Sequence, residues 1–334
     1  MEYIEVDCRI CGNPGPHREH EVREMMFGTR ERFMYFSCRS CDCLQISRIP
    51  GNLAQYYPHE YYSIAGTDRG LRQGTISRVR AILEQARAQK AIVGSSSLLS
   101  WLGSRLVDLP PEIHPTGNWL KACGIRSKHA AFLDVGCGSS SWWLSSLRSL
   151  GFHRLFGVDP HIADHMVSDN ITIRRGLIFD IKGQFDLISF HHSLEHIPDQ
   201  LKTLTRARQL LRPGGHCLVR IPVVSSLVWE TYGTDWVELD APRHLYLHST
   251  RSIQKIAEEA GLTLVSSICD SSEFEFYGSE QYRRDISLMA KESYWTDPAA
   301  SNFTFREMAT FRALAERANR EGVGGRACFF FKLR

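Results

Sequence analysis

The run Leu133-Asp134-Val135-Gly136-Cys137-Gly138-Ser139-Ser140 constrains this chain more than any other segment. An apolar strand enters a glycine bend, and Leu144 to Leu150 follow with the spacing of a helix. Strand, bend and helix in that order open a βαβ unit, where a missing Cβ lets backbone approach a ligand closely. The alternation then continues. Leu155-Phe156-Gly157-Val158-Asp159, Ile171-Thr172-Ile173, Phe185-Asp186-Leu187-Ile188-Ser189-Phe190 and His216 to Ile221 read as further strands. A helix over Leu201 to Leu211 is closed by Arg212-Pro213-Gly214-Gly215. Another helix over residues 249–261 ends at Gly261 and leads into Leu262-Thr263-Leu264-Val265. A helical insertion is expected at about 279–320, and Arg326 to Phe331 as the last strand. Such alternation implies a mainly parallel sheet with helices on both faces, an α/β, Rossmann-like, doubly wound fold.

A glycine bend of this kind also suits dinucleotide enzymes, so its neighbours matter. Asp134 stands just before the bend, where a carboxylate can receive a ligand ammonium or a backbone donor; a dinucleotide site keeps its helix N-terminus free for a pyrophosphate. Asp159 ends the second strand about 20 residues on, placed for two ribose hydroxyls. The third glycine of GxGxxG is replaced by Ser141.

In order, Asp134 to Gly138, Gly157-Val158-Asp159-Pro160, Phe185-Asp186-Leu187-Ile188, Ser193-Leu194-Glu195-His196-Ile197 and Leu211-Arg212-Pro213-Gly214-Gly215 resemble the class I methyltransferases that use S-adenosylmethionine (SAM). The likeness runs over about residues 120–270 and is nearest to the branch of the ubiquinone-biosynthesis O-methyltransferases. It implies a seven-stranded sheet of order 3-2-1-4-5-7-6 with strand seven antiparallel. It also implies roles. Gly136 and Gly138, with Cys137 between them, would lie under the methionine part of SAM, and Asp159, followed by Pro160, would bind the ribose. Asp180 and Ile181 would flank the adenine, His191 and His192 would line the pocket, and Asp134 completes the cofactor-binding set. Ser140 departs from the family, which often has a third glycine there.

Five of the ten cysteines (Cys8, Cys11, Cys38, Cys41 and Cys43) fall within the first 43 residues. Cys8-x-x-Cys11 and Cys38-x-x-Cys41, with 26 residues between the pairs, suit two knuckles on one tetrahedral zinc ion; Cys43 competes for a place, but the spacing favours Cys38 and Cys41. Four thiolates leave no open position, so the expected role is structural. Some 50 residues also have too little core to fold unaided. The expected organisation is a zinc-binding module at 1–50, an aromatic linker and helical region at 51–125, and a methyltransferase domain at 126–334. The module, with the later run Tyr56-Tyr57-Pro58-His59-Glu60-Tyr61-Tyr62-Ser63, resembles those ahead of some sugar C-methyltransferases and methyltransferases of glycan or secondary-metabolite pathways. Tyr61 and Tyr62 are candidates for a lid or for simple packing.

Methyl transfer from a sulfonium is an in-line displacement, so the protein must align the acceptor and, for a hydroxyl, dispose of its proton. Candidate bases are His191, His192, His196, His244 and His248, with His244 first and His196 second; for any one of them a packed or capping role is the commoner one, and the expectation is that at least one of the group is functional. His192-x-x-Glu195-His196, with His244, also resembles the Glu-x-x-Glu-His arrangement of metal-dependent methyltransferases, with histidine replacing the first glutamate.

A small-molecule or sugar-like acceptor, methylated on oxygen, is the leading expectation. RNA methylation and SAM binding without catalysis are the alternatives. Net charge is only +3, and residues 1–50 hold seven Lys/Arg against eight Asp/Glu, whereas a module that guides a polyanion should be clearly basic. Glu2, Glu5 and Asp7 are unlike a signal peptide, and no apolar run approaches the roughly 18 residues of a membrane span. A cytoplasmic protein is expected.

Overall fold

The computed structural model describes residues 2–57, 75–94, 97–108, 113–139, 141–168 and 170–334. Residues 58–63 of the aromatic run, with Tyr61 and Tyr62, and Ser140 lie outside the described residues.

Four short strands come first: β1 (Tyr3–Ile4), β2 (His17–Arg23), β3 (Arg32–Ser37) and β4 (Leu44–Ile46). Helices α1 (Thr75–Val93), α2 (Leu98–Leu106) and α3 (Ile113–Ala122) follow. The α/β region then runs β5 (Ala131–Val135), α4 (Trp142–Ser149), β6 (Arg154–Asp159), β7 (Met166–Ser168), β8 (Ile171–Arg175), β9 (Phe185–His191), α5 (Gln200–Leu210) and β10 (Leu211–Pro222). It closes with α6 (Leu227–Tyr232), β11 (Tyr246–Leu247), α7 (Thr250–Glu259), β12 (Leu262–Cys269), α8 (Phe274–Arg283), α9 (Phe305–Glu321) and β13 (Arg326–Leu333).

The large sheet has the order β12-β13-β10-β9-β5-β6-β8-β7. Strands β10, β9, β5, β6 and β8 are parallel to their neighbours in that run, and β13 is antiparallel to both β10 and β12. Read from β8 to β12 this is 3-2-1-4-5-7-6 with strand seven reversed, as the resemblance implied. The short antiparallel β7, absent from the sequence reading, adds an eighth strand at the edge.

Side chains alternate across a strand, so one run serves two cores. On β13, Phe329 and Phe331 enter one core while Cys328 and Phe330 enter the other. All five residues of β5 are buried, as a central strand covered on both faces requires. The fifth strand of the family order starts earlier than expected. Leu211 already pairs with Phe185, and the Pro213-Gly214-Gly215 stretch is taken up as a register shift before His216. The insertion resolves into α8 and α9 with turns between them.

The N-terminal strands form an antiparallel sheet of order β1-β2-β3-β4-β11. Its fifth strand comes from residues 246–247, about 200 positions along the chain, so the cysteine-rich segment is stitched into the α/β region. Among the described residues no helix is long and apolar enough to cross a membrane.

Candidate functional site

The chain leaves β5 towards β6 and β8, then returns to β9 on the other side of β5. That reversal opens a crevice beyond the carboxyl ends of the two strands, where open α/β sheets take ligands. The glycine bend lies there. Gly136 has φ +74° and Gly138 +64°, a region that favours glycine. A Cβ on Gly136 would overlap Ser193 Cβ and lie 3.0 Å from Ser193 Oγ. Gly136 is thus demanded by the protein's own packing, a reason the sequence reading did not contain. Ser193 in turn donates to Val135 O at 2.6 Å.

Asp159 ties the two loops together. Its Oδ2 accepts from Gly138 N at 2.9 Å and its Oδ1 from His161 N at 2.7 Å. Each carboxylate oxygen keeps a lone pair, and Pro160 and His161 beside it are exposed. Asp134 turns inward instead: it accepts from Ser141 Oγ at 2.8 Å and Ser189 Oγ at 2.9 Å. Burial pushes its carboxyl up to about 7, with the two hydroxyls pulling the other way. Ser141 also caps α4 by accepting from Leu144 N at 3.0 Å, so Asp134 fixes the bend and the helix start together. Cys137 is half-buried, its sulfur set against Gly157 where a Cβ would overlap it.

Further along the crevice, Asp180 is exposed and accepts from Leu177 N at 2.9 Å, while Ile181 is buried in the core. Leu177 and Phe179 beside them are exposed apolar side chains that the sequence reading did not single out. His191 sits among Trp119, Trp142 and Trp143, with ring centroids 5.7, 5.3 and 4.7 Å away, and neither of its nitrogens has a hydrogen-bond partner. Burial lowers its basicity well below the ordinary histidine range. His192 occupies the left-handed region, φ +50°. His248 is buried away from this group, bonded to Ser252 Oγ at 2.9 Å and Gln200 Oε1 at 2.8 Å.

Two of the histidines meet. His196 and His244 come from positions 48 apart, yet their ring centroids are 4.6 Å apart, packed edge to face. His196 Nδ1 donates to Arg243 O at 2.9 Å, and His244 Nδ1 donates to Glu238 O at 2.7 Å. A carbonyl can only accept, so each ring carries its proton on Nδ1 and its lone pair on Nε2. Glu195 lies beside them, fully buried, with neither oxygen hydrogen-bonded; Oε1 is 4.0 Å from His244 Nε2 and 3.6 Å from His192 Nδ1. Burial pushes Glu195 up to about 8, and burial followed by the neighbouring His244 lowers His196 to about 3.

Tyr57 was not singled out from the sequence. Its hydroxyl is 3.0 Å from His196 Nδ1 and its ring stacks on His161, with centroids 5.5 Å apart. It thereby bridges the histidine pair to the loop after Asp159. No signal in the sequence distinguishes Tyr57 from the other tyrosines of its run.

The histidine loop is held by the N-terminal sheet. Tyr35 Oη donates to His244 O at 2.8 Å, Ser249 Oγ donates to Cys41 O at 2.6 Å, and Arg243 Nη2 meets Glu24 Oε1 at 2.8 Å with both side chains fully buried. Asp240 also grips Arg243; burial opposes its ionisation, but the guanidinium holds it below the ordinary carboxylate range. In the same module Cys8, Cys11, Cys38 and Cys41 gather with their sulfurs all within 4.8 Å of one another. Cys8 Sγ is 3.6 Å from Cys41 Sγ, and Cys11 Sγ is 3.5 Å from Cys38 Sγ. A tetrahedral ion at about 2.3 Å from each sulfur needs about 3.8 Å between them, so the four fit zinc. Gln45 Nε2 donates to Cys8 Sγ at 2.8 Å and Ser40 N to Cys38 Sγ at 3.4 Å, which suits thiolate ligands. Cys43 is buried beside them, outside the foursome.

Part of the chain is similar to known methyltransferases. A methyltransferase domain family matches residues 114–267. The trans-aconitate 2-methyltransferase of Deinococcus radiodurans is 27% identical over 99 residues, 28% of this chain and 38% of that protein. The ubiquinone biosynthesis O-methyltransferase of Psychrobacter arcticus is 28% identical over 151 residues, 39% of this chain and 58% of its own length. The chain therefore spans less than two thirds of either relative. Among solved structures, the geranyl diphosphate C-methyltransferase of Streptomyces coelicolor A3(2) aligns with TM-score 0.42 and 13% identity, over 73% of this chain and 88% of that one. With these motifs in order on this sequence of strands, residues 114–267 form a methyltransferase domain similar to those of the class I SAM-dependent methyltransferases.

Proposed function

We propose that the chain transfers the methyl group of SAM to an oxygen of a small-molecule or sugar-like acceptor, with a structural zinc ion in its N-terminal module. One observation carries the reading: the crevice at the β5–β9 reversal has the glycine bend and Asp159 on one side and the His196–His244 pair on the other, bridged by Tyr57.

Bound SAM supplies a sulfonium whose methyl carbon is open to in-line attack. The chain's own part is binding, alignment and the handling of one proton. Gly136, Cys137 and Gly138 offer close backbone approach to the methionine part. The remaining lone pairs of Asp159 accept the ribose hydroxyls, with Pro160 shaping the turn beside it. Asp134 acts from beneath, holding the bend through Ser141. Asp180 and Ile181 border the adenine, and His191 and His192 line the wall at the end of β9. His196 and His244 are the catalytic residues, because their Nε2 lone pairs are free to meet the acceptor hydroxyl and its proton must leave through this cluster. Cys8, Cys11, Cys38 and Cys41 hold zinc, which stiffens the sheet to which the His244 loop is bonded.

Calorimetric titration with SAM and with NAD tests the crevice: SAM binds, NAD does not, and Asp159→Ala weakens SAM by at least about tenfold. His244→Ala should leave SAM affinity nearly unchanged and lower turnover by about 10²–10⁴-fold, the usual reach of proton-transfer groups. Failure of the folded chain to bind millimolar SAM overturns the reading; SAM binding without turnover on any sugar or small hydroxylated acceptor would favour a non-catalytic role.

A further inference from the structure

We propose that Arg220 determines acceptor specificity as a fixed guanidinium fork that takes a carboxylate or phosphate group of the hydroxylated acceptor. The inference rests on the reading of the crevice as the SAM site and deepens it by naming the charge of the acceptor. The position of Arg220, its unused donors and the way it is held carry it.

Position comes first. Arg220 lies near the carboxyl end of β10, level with His191 on β9, and its carbonyl accepts from His192 N at 2.8 Å. The sheet order here is β10-β9-β5-β6. With strands about 4.8 Å apart, β10 is about 10 Å from the strand that enters the glycine bend and about 14 Å from the one that ends in Asp159. A SAM molecule laid on the bend and on Asp159 therefore runs away from β10. A side chain at the end of β10 faces what lies beyond the methyl group, which is the acceptor. His196 sits in the turn that follows β9, so the histidine pair stands on that same side.

The donors come second. The Arg220 side chain is only 14% exposed, and among the described residues its one hydrogen bond runs from Nε to Asp270 Oδ2. Its two terminal nitrogens take no partner there, and neither is sealed from solvent. An arginine that served only to neutralise Asp270 would gain by turning a two-nitrogen edge towards it; this one gives a single nitrogen and keeps the end of its fork open. Its neighbour Arg326, by contrast, is fully engaged with Glu238, Glu275, Ser272 Oγ and Asp270 O. The planar end of a guanidinium matches two oxygens of one carboxylate or phosphate.

The third feature is rigidity. Asp270 holds Nε from the end of β12, and the Trp119 ring of α3 lies on the other side, with its centroid 5.8 Å from Arg220 Cζ. Trp119 is itself buried and packs against Trp143 and His191. Two elements from distant parts of the chain thus clamp one fork, which loses little freedom when an anion arrives. The carboxylates nearby do not cancel its charge. Glu238 and Glu275 share Arg326, and burial pushes Glu238 up to about 7 and Glu275 above the ordinary carboxylate range.

Two parallel N–H···O bonds would seat the acid group of the acceptor at the end of β10, while its hydroxyl meets the histidine pair beside β9. The acid group anchors and is not itself methylated. The acceptor class is then a small hydroxy acid or hydroxylated phosphate ester, not a neutral sugar.

Binding to the cofactor-loaded protein tests this. Full-length protein is saturated with S-adenosylhomocysteine, which fills the cofactor site but has no methyl to give. It is titrated by calorimetry with glucuronate, salicylate and glycerol phosphate, and with the neutral counterparts glucose, phenol and glycerol. At least one acid should bind about 10–150-fold more tightly than its counterpart, the span that hydrogen bonds to charged groups give. Carboxylates against phosphate separate the two sources of the oxyanion. Arg220→Gln should abolish the preference and Arg220→Lys should keep part of it as a point charge, with S-adenosylhomocysteine bound within about threefold of wild type in both. If Arg220→Gln strands Asp270 and fails to fold, the double variant Arg220→Gln, Asp270→Asn removes both charges and carries the same expectation. Equal binding of acids and neutral counterparts, no binding of any acid, or a preference that survives in the folded variants overturns the proposal. A large loss of S-adenosylhomocysteine affinity in Arg220→Gln also overturns it, because the fork would then hold the carboxylate of the cofactor itself. Folded wild type that does not bind S-adenosylhomocysteine at all sinks the underlying reading instead.

Discussion

Replacing Glu24 should damage both stability and the histidine loop, although Glu24 lies far from the crevice in sequence. Its carboxylate accepts from Phe27 N at 3.0 Å, Thr29 N at 3.0 Å, Thr29 Oγ1 at 3.1 Å and Arg243 Nη2 at 2.8 Å, all while fully buried. Arg243 retains Asp240 and the Tyr56 carbonyl after Glu24 is lost, so its charge is not stranded. Glu24→Gln keeps the shape but takes the carboxylate charge out of the bond from Arg243 and aims an N–H at a donor. That costs about 2 kcal/mol, within the range for hydrogen bonds to charged groups. Glu24→Ala leaves Phe27 N, Thr29 N and Thr29 Oγ1 without their acceptor and opens a void, for a cost of about 4 kcal/mol. The exposed pair Arg32–Glu21 provides the control, since Glu21→Gln should cost under about 1 kcal/mol. Urea unfolding of the three variants gives the ordering. Because Arg243 O anchors His196 Nδ1, turnover should fall further in Glu24→Ala than SAM affinity does. If Glu24→Gln unfolds at the same urea concentration as Glu21→Gln, the buried ion pair is not holding the loop and the argument is wrong.

Gly136→Ala should lower stability by at least about 1–2 kcal/mol through the left-handed φ alone and weaken SAM; Ser193→Gly in the same chain should recover the steric part, visible as a partial return of the melting temperature. Zinc removal by a chelator should unfold residues 1–50 and raise amide exchange at 240–249, and unchanged exchange there would argue that the two segments are independent. His248 is held at about 3 by burial, below the ordinary 6.5, so its contribution to stability is complete above 6.5 and is lost as pH falls from there towards 3. His248→Gln should therefore flatten the acid limb of stability against pH by up to about 1.4 kcal/mol per pH unit, and parallel acid limbs for the two proteins would contradict this.

The strands of the sheet were legible because their signals are local. Apolar runs near Phe132, Val158 and Ile188, each ended by a turn, mark buried parallel strands whatever lies beside them. The strand order came from the likeness of the motifs, since periodicity alone gives no neighbours. The helical insertion was bounded less well, because α8 begins at Phe274 without an N-cap side chain, whereas Thr304 and Glu307 form a clear capping box at α9. Within the site, the histidines that face one another were named in advance, but Tyr57, Ser193 and Glu24 were not. Each owes its role to a partner far along the chain.

The sequence by itself determined the glycine bend, the carboxylates that flank it and the two cysteine pairs, because spacing over a few residues dictates turn, cap and knuckle. Only the tertiary structure decided that Asp134 serves the bend from within, that Tyr57 reaches His196 across 139 residues, and that Glu24 meets Arg243 across 219. The physical reason is that a carboxylate's role depends on which donors surround it once water is excluded. Those donors are supplied by strands whose adjacency the local pattern does not encode.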